Sequence, residues 1–300
     1  MSSAGLSGGP AECTLKAKSI DFRFVQDTVE VLGMEGQAYP GYTMRMFSDN
    51  AAKVLKEFVF TRPVTLSGGG MFPMGDDMKL MKGRIRFDAS AGRVRYPLLG
   101  TTLDLGKAKG EILISPQWVV VDKMKGTIWD GSFTGRVLAQ IDDGDALNGS
   151  FVLQDMNLTS IGRSYGKKME KATVHGAIEF SSKGGNMNSI QAKGEAALVH
   201  GDLVEIPLFG FLGEALSNYI PGLGHLINYK ITRADCDFSI EKGYIRTSNF
   251  SAKGSNMSLE GGGWIRLADL QVNSDFKLGL RGLPGLITSP VFLLAGGLFQ

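Results

Sequence analysis

The sequence predicts a mainly β fold of antiparallel strands, with a few short amphipathic helices. Three observations predict it. Apolar and polar residues alternate through segment after segment, the period of a strand with one wet face. Turn residues separate these segments at a spacing close to about 8–12 residues, and no helix alternates with each strand as a parallel α/β sheet would require. Glycine is heavy, 41 of 300 residues against 10 prolines, where an average chain has nearer ~7% glycine.

Composition narrows the function classes. Hydrophobic content is 43% and charged content 21%, as in a folded protein, and 300 residues suffice for a sizeable core. Net charge is +2 with Lys and Arg spread along the chain, so no electrostatic case exists for nucleic acid. Cys13 and Cys236 are the only cysteines. They pair only if the fold brings them together, and two semi-buried thiols is the plainer reading. Residues 1–12 are Ser/Gly/Pro-rich and lack the apolar stretch of a signal peptide, so they read as a flexible lead-in.

Residues 13–100 read as an N-terminal β part. TLKAKSIDFRF, TVEVLGMEGQAY and YTMRMF alternate as strands. Residues 48–58 read as a short helix, with Ser48 or Asp49 as cap and Ala51, Val54, Leu55 and Phe58 as its apolar stripe. A strand at 64–67 is expected to end in a loop, GGGMFPMGDDM. In 79–89, Met81, Gly83, Ile85 and Phe87 share one face, and Lys82, Arg84 and Arg86 the other.

The alternation is plainest from 102 to 160. Ala108, Gly110, Ile112 and Ile114 fall on one parity, as do Met124, Gly126 and Ile128, and then Phe133, Gly135, Val137, Ala139 and Ile141. Residues 160–171 break the pattern and allow a short helix. Strands resume at 173–180 and 189–199. Four more, at 234–240, 244–252, 257–267 and 270–280, read as a meander.

Between these two groups of strands lies an amphipathic helix, 207–220. Leu208, Phe211, Leu212, Ala215, Leu216, Tyr219 and Ile220 recur at helical spacing, Pro207 suits the first position, and Pro221 with Gly222 stops it. It either caps one end of the β core or lies on a membrane surface. The apolar stretch 283–299, broken by Pro284 and Pro290, is expected to be helical or irregular.

Glycines inside strands, among them Gly83, Gly110, Gly126, Gly135, Gly176, Gly194, Gly261 and Gly263, leave two readings open. They suit a curved sheet with an open concave side, or bulges in a sandwich core. Gly261–Gly263 reads as a bend ahead of WIRL.

Catalytic and cofactor motifs are missing. His175, His200 and His225 have no second ligand at metal spacing. Gly68–Gly70 is not followed by the lysine of a phosphate loop. Ser160, Ser164 and Ser289 lack a nucleophile elbow. Asp142, Asp143 and Asp145 lack the spacing of a calcium loop. Neither an enzyme nor a cofactor is expected.

From Leu103 onward the chain resembles the C-terminal region of the AsmA-like family of Gram-negative envelope proteins. LDLGKAKGEILISPQWVVVDKMKGTIWDGSFTGRVLAQI is similar to the family's core-strand unit, and ALNGSFVLQDMNLTSIGRSYG to the unit that follows. AKGEAALVHGDLVEIPLFGFLGEALSNYIPGLG resembles its helix-containing signature. ITRADCDFSIEKGYIRTSNFSAKGSNMSLEGGGWIRLADLQVNSDFKLGLRG resembles its closing strands. The resemblance makes residues 101–300 one AsmA-like region, with the apolar tail at 284–300.

The resemblance implies a long antiparallel curved sheet forming an open apolar groove, of β-taco type, that conducts phospholipids between inner and outer membranes, supporting outer-membrane homeostasis and biogenesis. It implies the periplasmic side of the cell envelope, contact with a membrane at one or both ends, and an envelope protein as a further partner. Family members begin with a membrane anchor, so the chain is expected to be a fragment or an unanchored relative, with the full-length protein held in the inner membrane. The expected groove lining is Ile85, Phe87, Ile112, Ile114 and Ile128, then Phe133, Val137, Phe238, Phe250 and Leu259. If that face is open, a charge at Phe133 or Ile112 would reach water and leave the fold intact. Leu208, Phe211, Leu212, Leu216 and Tyr219 would form the contact face of the amphipathic helix. The competing expectation is a non-catalytic scaffold for outer-membrane protein or surface-fibre assembly, pairing through sheet edges.

Overall fold

A computed structural model describes residues 14–40, 58–74, 85–98, 101–115, 117–140, 146–166, 168, 171–183, 189–200, 231–254, 257–268, 271–280 and 291–297. The expected helices at 48–58 (all but Phe58) and 207–220, the strand 42–47, the first half of 79–89 and Cys13 lie outside these residues. The chain is mainly β, and its strands form an open antiparallel sheet that does not close into a barrel. Two compact units divide it.

The first unit comprises Met1–Ile128, Ser132–Phe151 and Ser181–Gly185. Its strands are β1 (Thr14–Lys16), β2 (Ser19–Arg23), β3 (Thr28–Ala38), β4 (Val59–Phe60), β5 (Val64–Pro73) and β6 (Ile85–Ala91). They continue with β7 (Val94–Leu98), β8 (Thr101–Ile114), β9 (Trp118–Ile128), most of β10 (Gly131–Gln140) and the start of β11 (Leu147–Asn157). β1 and β2 share one edge of β3, and β3 pairs on its other side with β5. The ladder then runs β5–β6–β8–β9, with β7 also on β8 and β4 on β7.

β5 corrects one expectation. The triple glycine Gly68–Gly70 is not the start of a loop but the middle of a ten-residue strand. Its φ angles are +156°, +154° and +147°, a region L side chains rarely enter. The neighbouring backbone is also too close for a Cβ, since one on Gly68 would collide with the Arg86 carbonyl oxygen. Glycine lets the strand continue there. A second use is at Gly33 (φ +59°), where β3 carries one extra residue between Val31 and Met34 relative to β5. That bulge keeps Val29, Val31, Met34 and Ala38 on one face.

The second unit comprises Trp129–Gly131, Val152–Phe180 and Asn186–Gln300. It holds the end of β11, the helix α1 (Leu158–Ser164), most of β12 (Thr173–Ser182), and β13 (Gln191–Val199). β14 (Ile231–Glu241), β15 (Tyr244–Gly254), β16 (Met257–Arg266), β17 (Val272–Leu280) and β18 (Val291–Gly297) follow. From β13 to β18 each strand pairs antiparallel with the next, the expected meander. Lys242 and Gly243 both have positive φ (52° and 77°), which suits the two-residue turn between β14 and β15.

The break expected at 160–171 is α1, and it starts at Leu158. The Asn157 side chain caps it by accepting the Thr159 N–H at 2.9 Å. The helix also braces a strained turn, in which Trp129 (φ 48°) and Asp130 (φ 61°) lie in the left-handed region. The Trp129 indole N–H donates to Ser164 Oγ at 3.0 Å, and the Ser160 hydroxyl donates to the Asp130 carboxylate.

Two further expectations are corrected. Gly261–Gly263 does not bend the chain; the three glycines lie within β16, fully paired with β17. The tail is not helical or irregular where it is described. Residues 291–297 form β18, from Val272↔Gly297 to Leu278↔Val291 against β17. A run of Val, Phe and Leu after a proline has strand propensity, and β17 supplies the hydrogen-bonding edge.

Candidate functional site

The candidate site is the apolar face of the sheet, taken in each unit separately. In the first unit, cross-strand register builds it residue by residue. Val29 stands opposite Phe72, and Ala38 opposite Val64. Gly68 stands opposite Phe87, Phe87 opposite Ile112, and Ile85 opposite Ile114. The expected parity of Ala108, Gly110, Ile112 and Ile114 is therefore real, each facing an apolar partner on β6. Ala38, Val64, Leu66, Ile85, Phe87 and Ile114 form a buried cluster, with Leu15, Met34, Phe60, Phe72, Ile112 and Val119 packed against it.

In the second unit an apolar face runs across β13 to β17. Gly194 faces Phe238, Ala234 faces Ala252, Ala252 faces Leu259, and Gly261 faces Phe276. Phe250 meets Phe276 edge-on at 5.4 Å between centroids. Cys236 sits half-buried opposite Ala196, and burial, with Asp237 and Asp235 nearby, pushes its thiol above the usual range.

The interior glycines have a definite use here. A Cβ on Gly126 would lie 2.5 Å from the Phe133 ring, one on Gly194 2.5 Å from Phe238, and one on Gly261 2.8 Å from Phe276. Gly135 lies in the same way beneath Phe151. Each phenylalanine folds over a glycine on the neighbouring strand and fills the gap left by its missing side chain. These four glycines accommodate rings.

That packing sorts the ten expected lining residues. Ile85 and Leu259 are 0% exposed, and Ile114, Phe87, Ile128 and Phe133 are buried too. These six are core and offer no free surface, so a charge at Phe133 would be buried rather than reach water. Ile112, Val137, Phe238 and Phe250 are half-buried and keep surface for a ligand. The most accessible part of the face was not among the expected residues. Ile20 and Phe22 on β2 stand opposite Val31 and Val29, on the same face, yet are 38% and 56% exposed. The sequence signal for them is the alternation of SIDFRF, which reads as a strand.

The opposite face of the first unit is wet and ion-paired. Glu111 accepts from Lys123 at 2.5 Å and from Arg86 at 2.6 Å. The Lys123 hydrogen bond, with Arg86 nearby, holds the Glu111 carboxyl below its usual range. Asp104 takes a two-pronged pair of hydrogen bonds from Arg93, with Arg95 at 3.8 Å, and the Arg93 hydrogen bond lowers its pKa. An open depression lined by Ser67, Asp88, Ala89, Lys109, Lys123 and Lys125 lies on this side.

Among the described residues no group of three or more His, Cys, Asp or Glu is placed to hold a metal, and no helix is long and apolar enough to cross a membrane. His175 lies 4.0 Å from Asp155 at the surface. Residues 207–220, 142–145, His225 and Ser289 lie outside the described residues. No family model matches the chain, and no curated protein or solved structure is significantly similar to it.

Proposed function

We propose that this chain is a non-enzymatic lipid-binding module that holds phospholipid acyl chains against its apolar sheet faces. In the reading that follows from the AsmA-like resemblance, it conducts phospholipids between the inner and outer membranes, on the periplasmic side of a cell envelope. The observation that carries this is the accessible part of the apolar face. Ile20 and Phe22 stand open to solvent, and Ile112, Val137, Phe238 and Phe250 are only partly covered. Apolar surface of this kind marks a binding site for an apolar partner. A lipid tail laid on it gains about 0.8 kcal/mol for each buried CH₂, with no charged group needed on that face. The ion pairs of Glu111 and Asp104 keep the other face in water.

Lipid extraction and native mass spectrometry of the purified chain test the reading. The expected result is co-purified phospholipid that falls by more than half in a Phe238→Ser/Phe250→Ser variant that stays folded. A chain that carries no lipid but retains a stoichiometric envelope protein would instead support the scaffold reading.

A further inference from the structure

We propose that β2 is a pairing edge, on which a second copy of this chain adds its own β2 in antiparallel register centred on Phe22. Among the described residues β2 pairs with β3 alone, and four of its five residues are exposed. Exposed large apolar side chains concentrate there and on the adjoining turn and strand: Ile20, Phe22, Phe24 at 73%, Val25 at 96% and Leu32. An exposed edge strand presents a row of unpaired N–H and C=O groups, a template for another strand.

Charge selects the occupant and the register. Successive residues of a strand point their N–H and C=O groups to opposite edges. Two copies of β2 therefore pair only with odd residues against odd and even against even. A register centred on Asp21 would set two Asp21 carboxylates against each other. A register centred on Phe22 sets each Asp21 against Arg23 of the other copy, twice, with the two Phe22 rings side by side. Within its own chain Asp21 has only a loose, exposed ion pair, with Arg23. It stands directly opposite Glu30, a like charge, and Arg23, which is hydrogen-bonded to Glu30, comes no closer to it than 3.9 Å. The symmetry is two-fold and the contact self-complementary. Ile20 and Phe22 of both copies fall on the same side, so the apolar faces of two first units would join across the pair.

Sedimentation of the full chain, stripped of lipid, tests this. The wild type is expected to dimerise with rising concentration. Asp21→Arg and Arg23→Asp, each alone, replace two attractive contacts by two repulsive ones and should weaken the dimer by roughly tenfold or more. Mixing the two variants restores opposite charges at both contacts and should restore dimer, which also shows that each variant is folded. Independently, Phe22→Cys in a Cys13→Ser background should form an intermolecular disulfide under mild oxidation, whereas Val25→Cys should not. A wild type that stays monomeric overturns the proposal. So does a mixture no better associated than either variant. Vesicle binding that depends on Phe22 and Phe24 in a monomeric chain would assign the patch to a membrane and overturn it as well.

Discussion

At the scale of single residues, the glycine–phenylalanine pairs do most to explain the sequence. Gly194 has ordinary backbone angles, so its need for glycine comes from space. A methyl group there would press on the Phe238 ring and on the Ala177 carbonyl oxygen. Overpacking of this kind costs about 1–3 kcal/mol. Gly194→Ala is therefore expected to lower the unfolding free energy by that amount, read as a lower denaturant midpoint with an unchanged m-value. A substitution with no effect on the midpoint would mean that the ring does not rest on the glycine. The alternation of the sequence placed these glycines on the apolar face correctly. It could not say what filled them, because the partner ring lies on another strand.

At the scale of elements, strand β15 shows how an irregularity is held. It carries an extra residue at Ser248–Asn249 relative to both β14 and β16. A bulge interrupts the ladder, and the Asn249 side chain replaces the lost bonds. Its Oδ1 accepts the Asp237 N–H at 2.9 Å, and its Nδ2–H donates to the Asp237 carboxylate at 2.7 Å. Asn249→Ala should cost about 1 kcal/mol, measured by chemical denaturation. Asn249→Asp should cost more, since a second carboxylate would face Asp237. If Ala and Asp behave alike, the amide's donor is not what holds the bulge. Nothing in RTSNFSAK marks this position, because a bulge is defined by its register against neighbours. The short helix α1, by contrast, was legible as a break in the alternation.

At the scale of the whole molecule, the wet face makes stability depend on acid. The pKa values of Asp104 and Glu111 are lowered in the folded chain, each chiefly by a hydrogen bond from a cation, Arg93 and Lys123 respectively. A carboxylate with a depressed folded pKa stabilises the fold above its unfolded pKa of about 4. That contribution is lost as pH falls through the folded value. The first unit should therefore lose thermal stability as pH drops below about 4.5. In Asp104→Asn the slope of melting temperature against pH should be shallower on that acid limb, with a small loss of stability at neutral pH. An unchanged slope would show that the Arg93–Asp104 contact is too exposed to matter.

The sequence by itself determined the mainly β class, the antiparallel meander of the closing strands and the apolar side of the strands in which alternation was plain. All three follow from a local period of two and from turn residues. Tertiary structure alone decided which apolar residues remain accessible. Ile85 and Leu259 read like Phe238 and Phe250 in sequence, yet the first two are sealed and the others are not. It also carried β5 through three glycines, made residues 291–297 a strand, and left Phe22 open on an edge. Each of these outcomes depends on which strand lies alongside, and residues far apart in the chain supply that neighbour.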